Sequence, residues 1–150
     1  MATVSTDQIN RGMRGFDRLY GLEVLAYSDE EVRAQVTVRD EVSQAYGLIH
    51  GGVYASMAES MASIATALGV AERGCIAVGL SNSTSFLRPI SEGVVDALAT
   101  CVHRGRTTWV WDVRFSDSEQ RLCALTRMTV AVRAAPDGHV PTLERFNPDS

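Results

Sequence analysis

The 150-residue sequence is poor in three features, and each shortage argues against a class of protein. It has three widely spaced cysteines and no CxxC pair, so it predicts neither a disulfide framework nor a zinc site. Basic residues are fewer than acidic ones, 14 against 18, and the net charge of −4 argues against a nucleic-acid-binding protein. Residues 1–10 lack the apolar stretch of a signal peptide, so we expect a cytoplasmic protein.

One long apolar segment stands out, at residues 53–71. It contains no proline and a single charged residue, Glu59. Alanine and methionine favour a helix, which would be about 28 Å long over these residues. The segment approaches the length of a membrane span, but its Ser, Ala and Gly content and its central glutamate argue against one. We therefore predict a helix that is buried on all sides within the protein.

Glu59 is the one ionisable group of this predicted helix. Burying an ionised carboxylate without a partner costs a great deal of free energy, so such a residue is a candidate for a functional role. A structural or solvent-facing glutamate is an equally open alternative when the residue pattern is considered alone.

Alternating apolar and polar residues on both sides of the helix predict β-strands. Between residues 32 and 38, for example, valine or alanine occupies every second position, as in a half-buried strand. The predicted strands cover residues 22–26, 32–38, 76–87, 93–103, 107–116 and 121–133. A short N-terminal helix is predicted over residues 6–19.

The order of these elements favours one fold class. Short turns between successive strands indicate antiparallel pairing, and the exposed face of such a sheet needs a cover. We therefore predict an α+β fold, a curved antiparallel sheet of about six strands wrapped around one long central helix. Residues 1–150 would form a single domain, with a core over about 20–133 and a tail over 134–150.

Specific motifs add a family resemblance to this pattern. The segment Gly-Leu-Ile-His-Gly-Gly at residues 47–52, followed by Ala-Glu-Ser at 58–60, resembles the signature of hotdog-fold acyl-CoA thioesterases. Within that superfamily the sequence is similar to the 4-hydroxybenzoyl-CoA thioesterases of the Arthrobacter type and to the 1,4-dihydroxy-2-naphthoyl-CoA thioesterases of menaquinone synthesis. Further similar stretches lie at 77–82, 84–89, 107–113 and 121–124.

The resemblance implies hydrolysis of an aromatic acyl-CoA and assigns catalytic roles. Glu59 would be the nucleophile or the general base. The amide of Gly51 would polarise the thioester carbonyl from the helix N-terminus, where free N–H groups and the positive dipole end suit negative charge. Gln44 would place the carbonyl or the water, and His50 would support the loop. Ser63 replaces a family threonine, four residues after Glu59 on the same helical face.

The resemblance also implies contacts with coenzyme A, which is part of the substrate and not a separate cofactor. The implied substrate-binding and coenzyme A-binding residues are Gly52, Asn82, Arg88, Arg104, Arg106, Thr107 and Thr108. The chain departs from the Arthrobacter-type pattern at Arg106, where those enzymes have serine, and at Pro136, where they have a basic residue. A solvated turn is the alternative for any one of the arginines. No metal or redox cofactor is implied.

A distance argument predicts how many chains form one site. Gly51 and Glu59 are eight residues apart, about 12 Å along one helix, so both cannot contact one thioester carbon. They can act on the same carbonyl only from different chains. We therefore predict a homodimer with two antiparallel helices side by side and two equivalent sites at the interface. The resemblance implies a homotetramer built from two such dimers.

Two other functions are consistent with the sequence. A hotdog enoyl-CoA hydratase or dehydratase would place its Asp and His differently, whereas His50 stands at the helix start. A non-catalytic acyl-CoA-binding protein would hold its ligand without releasing thiol, with Glu59 in a structural role. The acyl group is open among hydroxybenzoyl, dihydroxynaphthoyl and phenylacetyl types.

Overall fold

The computed structural model describes residues 4–141 and residue 146. Its α-helices are α1 (Thr6–Gly12), α2 (Gly15–Tyr20) and α3 (Gly51–Val70). Its strands are β1 (Glu23–Tyr27), β2 (Glu31–Thr37), β3 (Cys75–Phe86), β4 (Val94–Arg104), β5 (Thr108–Ser116) and β6 (Leu122–Ala134). Every strand boundary lies within one residue of its predicted position, because the two-residue alternation ends where the strand ends.

The strands form one sheet in the order β1-β2-β4-β5-β6-β3, and all neighbouring pairs are antiparallel. This arrangement confirms the predicted sheet of about six strands. Strands β1 and β3 are its two edges. Helix α3 connects β2 to β3 across one face of the sheet. Strand β3 therefore pairs with β6, at the edge opposite β1.

Helix α3 packs against the face of the sheet that carries the core. The buried residues of α3 are Val53, Tyr54, Met57, Ala58, Met61, Ala62, Ala65, Thr66 and Val70. Trp109 and Trp111 of β5 lie beneath the helix at 2% and 0% exposure, and the indole N–H of Trp111 donates to the Thr66 hydroxyl at 3.0 Å. Each fully buried side chain of this size stabilises the fold by about 1.5–3 kcal/mol.

The prediction that α3 is buried on all sides is wrong, because the side that faces away from the sheet is partly exposed. Ser56, Ser60 and Ile64 are half-buried there, and Glu59 is exposed in the single chain. The sheet covers one side of a helix only, and the short helix α2 covers part of the other. None of the described helices has the length and apolarity that a membrane crossing requires.

The predicted N-terminal helix is present, but over residues 6–19 it is interrupted and forms the two short helices α1 and α2. Ser5 and Gln8 make a capping box at the start of α1. Met13 then leaves the helical conformation, with ψ at 134°, and Gly15 adopts a φ of 55°. A positive φ is cheap only for glycine, and the break lets α2 turn back onto α3.

The predicted tail over residues 134–150 falls partly outside the described residues. A 3-10 turn spans Pro136–Gly138. Phe146 is 7% exposed and packs against the core, so at least this residue of the tail is docked.

Candidate active site

The loop before α3 leaves one backbone donor available at the helix N-terminus. His50 is the N-cap residue, and its Nδ1 accepts a hydrogen bond from the N–H of Gly52 at 2.8 Å. The N–H of Val53 donates to the His50 carbonyl at 2.9 Å. The N–H of Gly51 has no hydrogen-bond partner within the described part of the chain. It therefore lies free at the positive end of the helix dipole.

The absence of a side chain at Gly51 has a structural cause. A Cβ there would lie 2.9 Å from the ring of Phe86, the last residue of β3. Helix α3 therefore begins in close contact with the end of β3, and glycine permits this approach.

Gln44 lies in the same loop, with its side chain partly engaged. Its side-chain oxygen accepts a hydrogen bond from the backbone N–H of Tyr46. Its backbone N–H donates to the Leu48 carbonyl at 2.7 Å, and its own carbonyl accepts from the N–H of Gly47 at 2.9 Å. These bonds hold the loop, while the side-chain N–H₂ donates to none of the residues described.

Glu59 and Ser63 occupy adjacent turns on the side of α3 that is next to β3. The Ser63 hydroxyl donates to Glu59 Oε1 at 3.3 Å, which is a long hydrogen bond. Because α3 is continuous from Gly51 to Val70, Glu59 lies about 12 Å along the axis from Gly51. One chain therefore brings Gln44, His50 and Gly51 together at the start of α3. Glu59 and Ser63 form a second group, which the same chain does not bring into contact with the first.

The predicted coenzyme A-binding residues also fall into separate groups. Arg88 follows β3 near the start of α3, where its N–H donates to the Cys123 carbonyl at 3.0 Å. The β4–β5 turn lies near the end of α3, since a Cβ on Gly69 would meet the ring of Trp109. A 20-residue helix is about 30 Å long, so one phosphate cannot contact both groups in a single chain.

Two of the predicted residues, Arg104 and Asn82, make side-chain contacts within the protein. The Arg104 guanidinium donates to Asp29 Oδ2 at 2.9 Å and lies 4.5 Å above the ring of Trp109. Asn82 donates from its side-chain amide to the carbonyl of Ala55 in α3 at 2.9 Å. Their predicted roles in substrate binding stay predictions.

Sequence reasoning missed two cations beside the β4–β5 turn. Arg73 Nη2 donates to the Arg106 carbonyl at 3.4 Å, and Arg133 Nη1 donates to the Thr107 carbonyl at 3.2 Å. In the portion of the chain described, none of Arg73, Arg106 and Arg133 forms a salt bridge. The three lie far apart in sequence, so no local motif signals this basic cluster.

Two cavities lie on the side of α3 that faces away from the sheet. The larger, of about 560 Å³, opens beside the helix N-terminus, with Phe16 and Leu19 of α2 on its rim and His50 in its wall. The smaller, of about 330 Å³, is lined by Ser63 and by apolar side chains that include Phe146. Both volumes fall in the range of small-molecule sites.

The described residues give little support to a metal site or to a nucleophilic cysteine. No group of three or more His, Cys, Asp or Glu side chains within them could hold a metal ion. Burial raises the pKa of the Cys101 and Cys123 thiols above the ordinary value, which disfavours the thiolate form of a nucleophilic cysteine.

The sheet wrapped around α3 is the hotdog fold, as the sequence resemblance implied. A family model described as the Thioesterase superfamily matches residues 46–124, more than half of the chain. The chain belongs to this superfamily, and its predicted class of enzyme, a thioester hydrolase, is confirmed.

Individual relatives support the same assignment. The 1,4-dihydroxy-2-naphthoyl-CoA hydrolase of Listeria monocytogenes is 32% identical, over 79% of this chain and 96% of that protein. A thioesterase variant from Pseudomonas aeruginosa, with a glutamine changed to alanine, is 34% identical and superposes with a TM-score of 0.83, over 87% of this chain and 95% of that chain.

Two structures of a Staphylococcus aureus thioesterase carry further replacements. They are 26% and 27% identical to this chain, with TM-scores of 0.75 and 0.76, and cover 78% and 79% of it and 97% and 98% of the other chain. One has alanine in place of a glutamine, and the other has alanine in place of a glutamate fifteen residues further on. Gln44 and Glu59 have the same separation.

Proposed function

We propose that the protein hydrolyses an aromatic acyl-CoA to the free acid and coenzyme A. The observation that carries this proposal is the free N–H of Gly51 at the start of the helix that also holds Glu59. The hydrolase from Listeria acts on an aromatic acyl-CoA by its name, and the Gln and Glu replaced in the Staphylococcus protein have the spacing of Gln44 and Glu59.

In this mechanism, Glu59 either attacks the thioester carbon or removes a proton from the attacking water. Negative charge then develops on the carbonyl oxygen, where the N–H of Gly51 stabilises it. The C–S bond breaks, and coenzyme A leaves as its thiolate, which takes up the proton released by the attacking water. If Glu59 is the nucleophile, water then hydrolyses the resulting acyl-Glu59 anhydride to the free acid and the regenerated carboxylate. His50 acts on the loop by holding the Gly52 N–H, and the Ser63 hydroxyl holds the Glu59 carboxylate. The side-chain N–H₂ of Gln44 orients the carbonyl or the water.

A homodimer would join the two halves of this site. Strand β3 is an edge of the sheet, and Val78, Leu80 and Phe86 expose 47%, 56% and 60% of their surface. An edge strand with unpaired backbone groups and apolar side chains favours pairing with another chain. Two antiparallel β3 strands would bring Gly51 of one chain to Glu59 of the partner subunit. A homotetramer of two such dimers is part of the proposal.

The basic cluster at the β4–β5 turn would bind the phosphates of coenzyme A. In this proposal Arg106, Thr107 and Thr108 keep the roles that the resemblance implies, and we add Arg73 and Arg133. Guanidinium groups without an acidic partner suit phosphate oxygens. Arg88 lies at the other end of α3, so it would contact coenzyme A from a different chain. We place the enzyme in the cytoplasm, where its three cysteines, which form no disulfide among the described residues, would stay reduced.

Thiol release from a panel of acyl-CoA substrates tests the proposal. We expect aromatic acyl groups to be hydrolysed fastest, and Glu59→Gln to lower kcat by at least about 100-fold. Glu30→Gln is the matched control, because Glu30 is an exposed glutamate in the β1–β2 turn. Full activity of Glu59→Gln would contradict the catalytic role. Tight binding without thiol release indicates an acyl-CoA-binding protein, and hydration of an enoyl-CoA indicates a hydratase.

A further inference from the structure

Strand β3 contacts Glu59 at a residue that has no side chain. A Cβ built on Gly79 would lie 3.2 Å from both Cδ and Oε2 of Glu59, and closer still to Oε1. Real Cβ atoms essentially never lie as close as this one would to Oε1, so the end of the Glu59 side chain would have to move. The Glu59 carboxylate therefore occupies the space that any larger residue at position 79 would fill.

The same strand holds the helical turn that carries Glu59. The side-chain amide of Asn82 donates to the carbonyl of Ala55 at 2.9 Å. In an α-helix, this carbonyl is also the acceptor for the backbone N–H of Glu59, four residues later. Asn82 thus binds β3 to the peptide group that closes the helical turn at Glu59.

A chain of hydrogen bonds fixes the orientation of Asn82. Its Oδ1 accepts a bond from the Thr84 hydroxyl at 2.8 Å, and this hydroxyl lies 2.9 Å from that of Thr126 in β6. Because the oxygen faces Thr84, the N–H₂ group is directed to α3. An aspartate at this position would have the same shape but no N–H to donate.

An irregularity in β3 allows Gly79 and Asn82 to act together. In a regular strand, residues three positions apart point to opposite faces. The pairing of β3 with β6 shifts register between Gly79 and Ser81, which inserts one extra residue. Residues 79 and 82 therefore both face α3, on either side of the turn that holds Glu59.

We propose that Gly79 and Asn82 are positioning residues for Glu59, and this inference rests on the proposed function. Gly79 keeps open the space for the carboxylate, and Asn82 sets the distance between β3 and the helical turn. Both act through Glu59 and touch no reacting atom. The bulged edge strand, in addition to the helix, determines where the catalytic carboxylate lies.

Kinetics of two single variants test this role. We expect Asn82→Asp and Gly79→Ala each to lower kcat about 10-fold to 100-fold, with KM for the acyl-CoA changed less than about twofold. Ser83→Ala is the matched control, because Ser83 is an exposed neighbour on β3 that makes no side-chain hydrogen bond among the described residues. Asn82→Gln keeps the donor, so it should retain more activity than Asn82→Asp. If Asn82→Asp and Gly79→Ala match the control in kcat, the inference is wrong.

A spectroscopic measurement separates this inference from the proposed function. The ¹³C resonance of the Glu59 side-chain carboxyl should shift in Gly79→Ala and Asn82→Asp, and stay unchanged in Ser83→Ala. This readout needs no turnover. Wild-type protein that releases no thiol overturns the proposed function, while the carboxyl resonance still decides whether β3 positions Glu59. An unchanged resonance in both variants overturns the positioning role.

Discussion

At the residue scale, the arginines around the β4–β5 turn differ in whether the guanidinium group already forms a salt bridge. Arg104 is paired with Asp29 and stacked on Trp109. Arg106 and Arg133 make no ion pair with a described acidic residue. Exposed ion pairs contribute little to stability, but they do occupy the guanidinium. Arg106 and Arg133 are therefore better placed than Arg104 to bind phosphate.

Replacement of Arg133 should weaken binding of the coenzyme A end of the substrate. A hydrogen bond to a charged group contributes about 1.5–3 kcal/mol, so Arg133→Ala should raise KM about 10-fold or more at low salt, with kcat nearly unchanged. Steady-state kinetics at two ionic strengths measure this effect, which salt should reduce.

The matched control for this prediction is Arg33→Ala, since Arg33 is an exposed arginine paired with Glu31 on β2. A second comparison uses an acyl-pantetheine substrate, which lacks the nucleotide. Arg133→Ala and the wild type should then have the same KM. An equal rise in KM for both substrates would show that Arg133 acts on the fold and not on the nucleotide.

At the scale of elements, α2 is attached to α3 next to Glu59. The Tyr20 hydroxyl donates to Asp17 Oδ1 at 3.0 Å and lies 3.3 Å from the Ser60 hydroxyl, which donates to the same carboxylate oxygen. Burial raises the pKa of Tyr20 well above its ordinary value, so the phenol stays protonated as a donor. Helix α2 contributes residues to both cavities on this side of α3.

Removal of the Ser60 hydroxyl should loosen α2. We expect Ser60→Ala to speed hydrogen exchange at the amides of α2 severalfold and to lower the free energy of unfolding by about 1 kcal/mol. Hydrogen-exchange mass spectrometry and urea denaturation measure the two effects. Ser56→Ala is the control, because its hydroxyl donates within α3 to the Gly52 carbonyl. Equal exchange of α2 in Ser60→Ala and the control would mean that α2 is held by other contacts.

At the scale of the whole molecule, the two edges of the sheet should differ in their partners. Leu80 on β3 and Leu25 on β1 are both exposed leucines of edge strands, at 56% and 47%. Only the β3 edge lies beside Glu59, so only this edge can complete the proposed site with a second chain.

A charge on the β3 edge should therefore abolish both assembly and activity. We expect Leu80→Lys to give a folded monomer by light scattering, with activity reduced at least about 100-fold, because no chain then holds both halves of a site. Leu25→Lys should leave the oligomer and its activity unchanged. A Leu80→Lys monomer with full activity would contradict the shared site.

The periodicity of apolar residues and one short motif were enough to predict the strands, the long helix and the family of this protein. The two-residue alternation located each strand, the apolar run located α3 within two residues, and the segment from Gly47 to Gly52 identified the family. The separation of Gly51 and Glu59 along one helix also followed from sequence spacing alone. All of these depend on neighbouring residues, whose pattern repeats with the period of the element they form.

Only the tertiary structure decided which distant residues meet. The bulge that turns Gly79 and Asn82 towards Glu59, the cluster of Arg73, Arg106 and Arg133, and the exposure of Glu59 have no local signal. They depend on strand register and on which side of α3 the sheet covers. Register is set by the packing of the whole sheet against the helix, and this balance of many contacts cannot be read from any one segment.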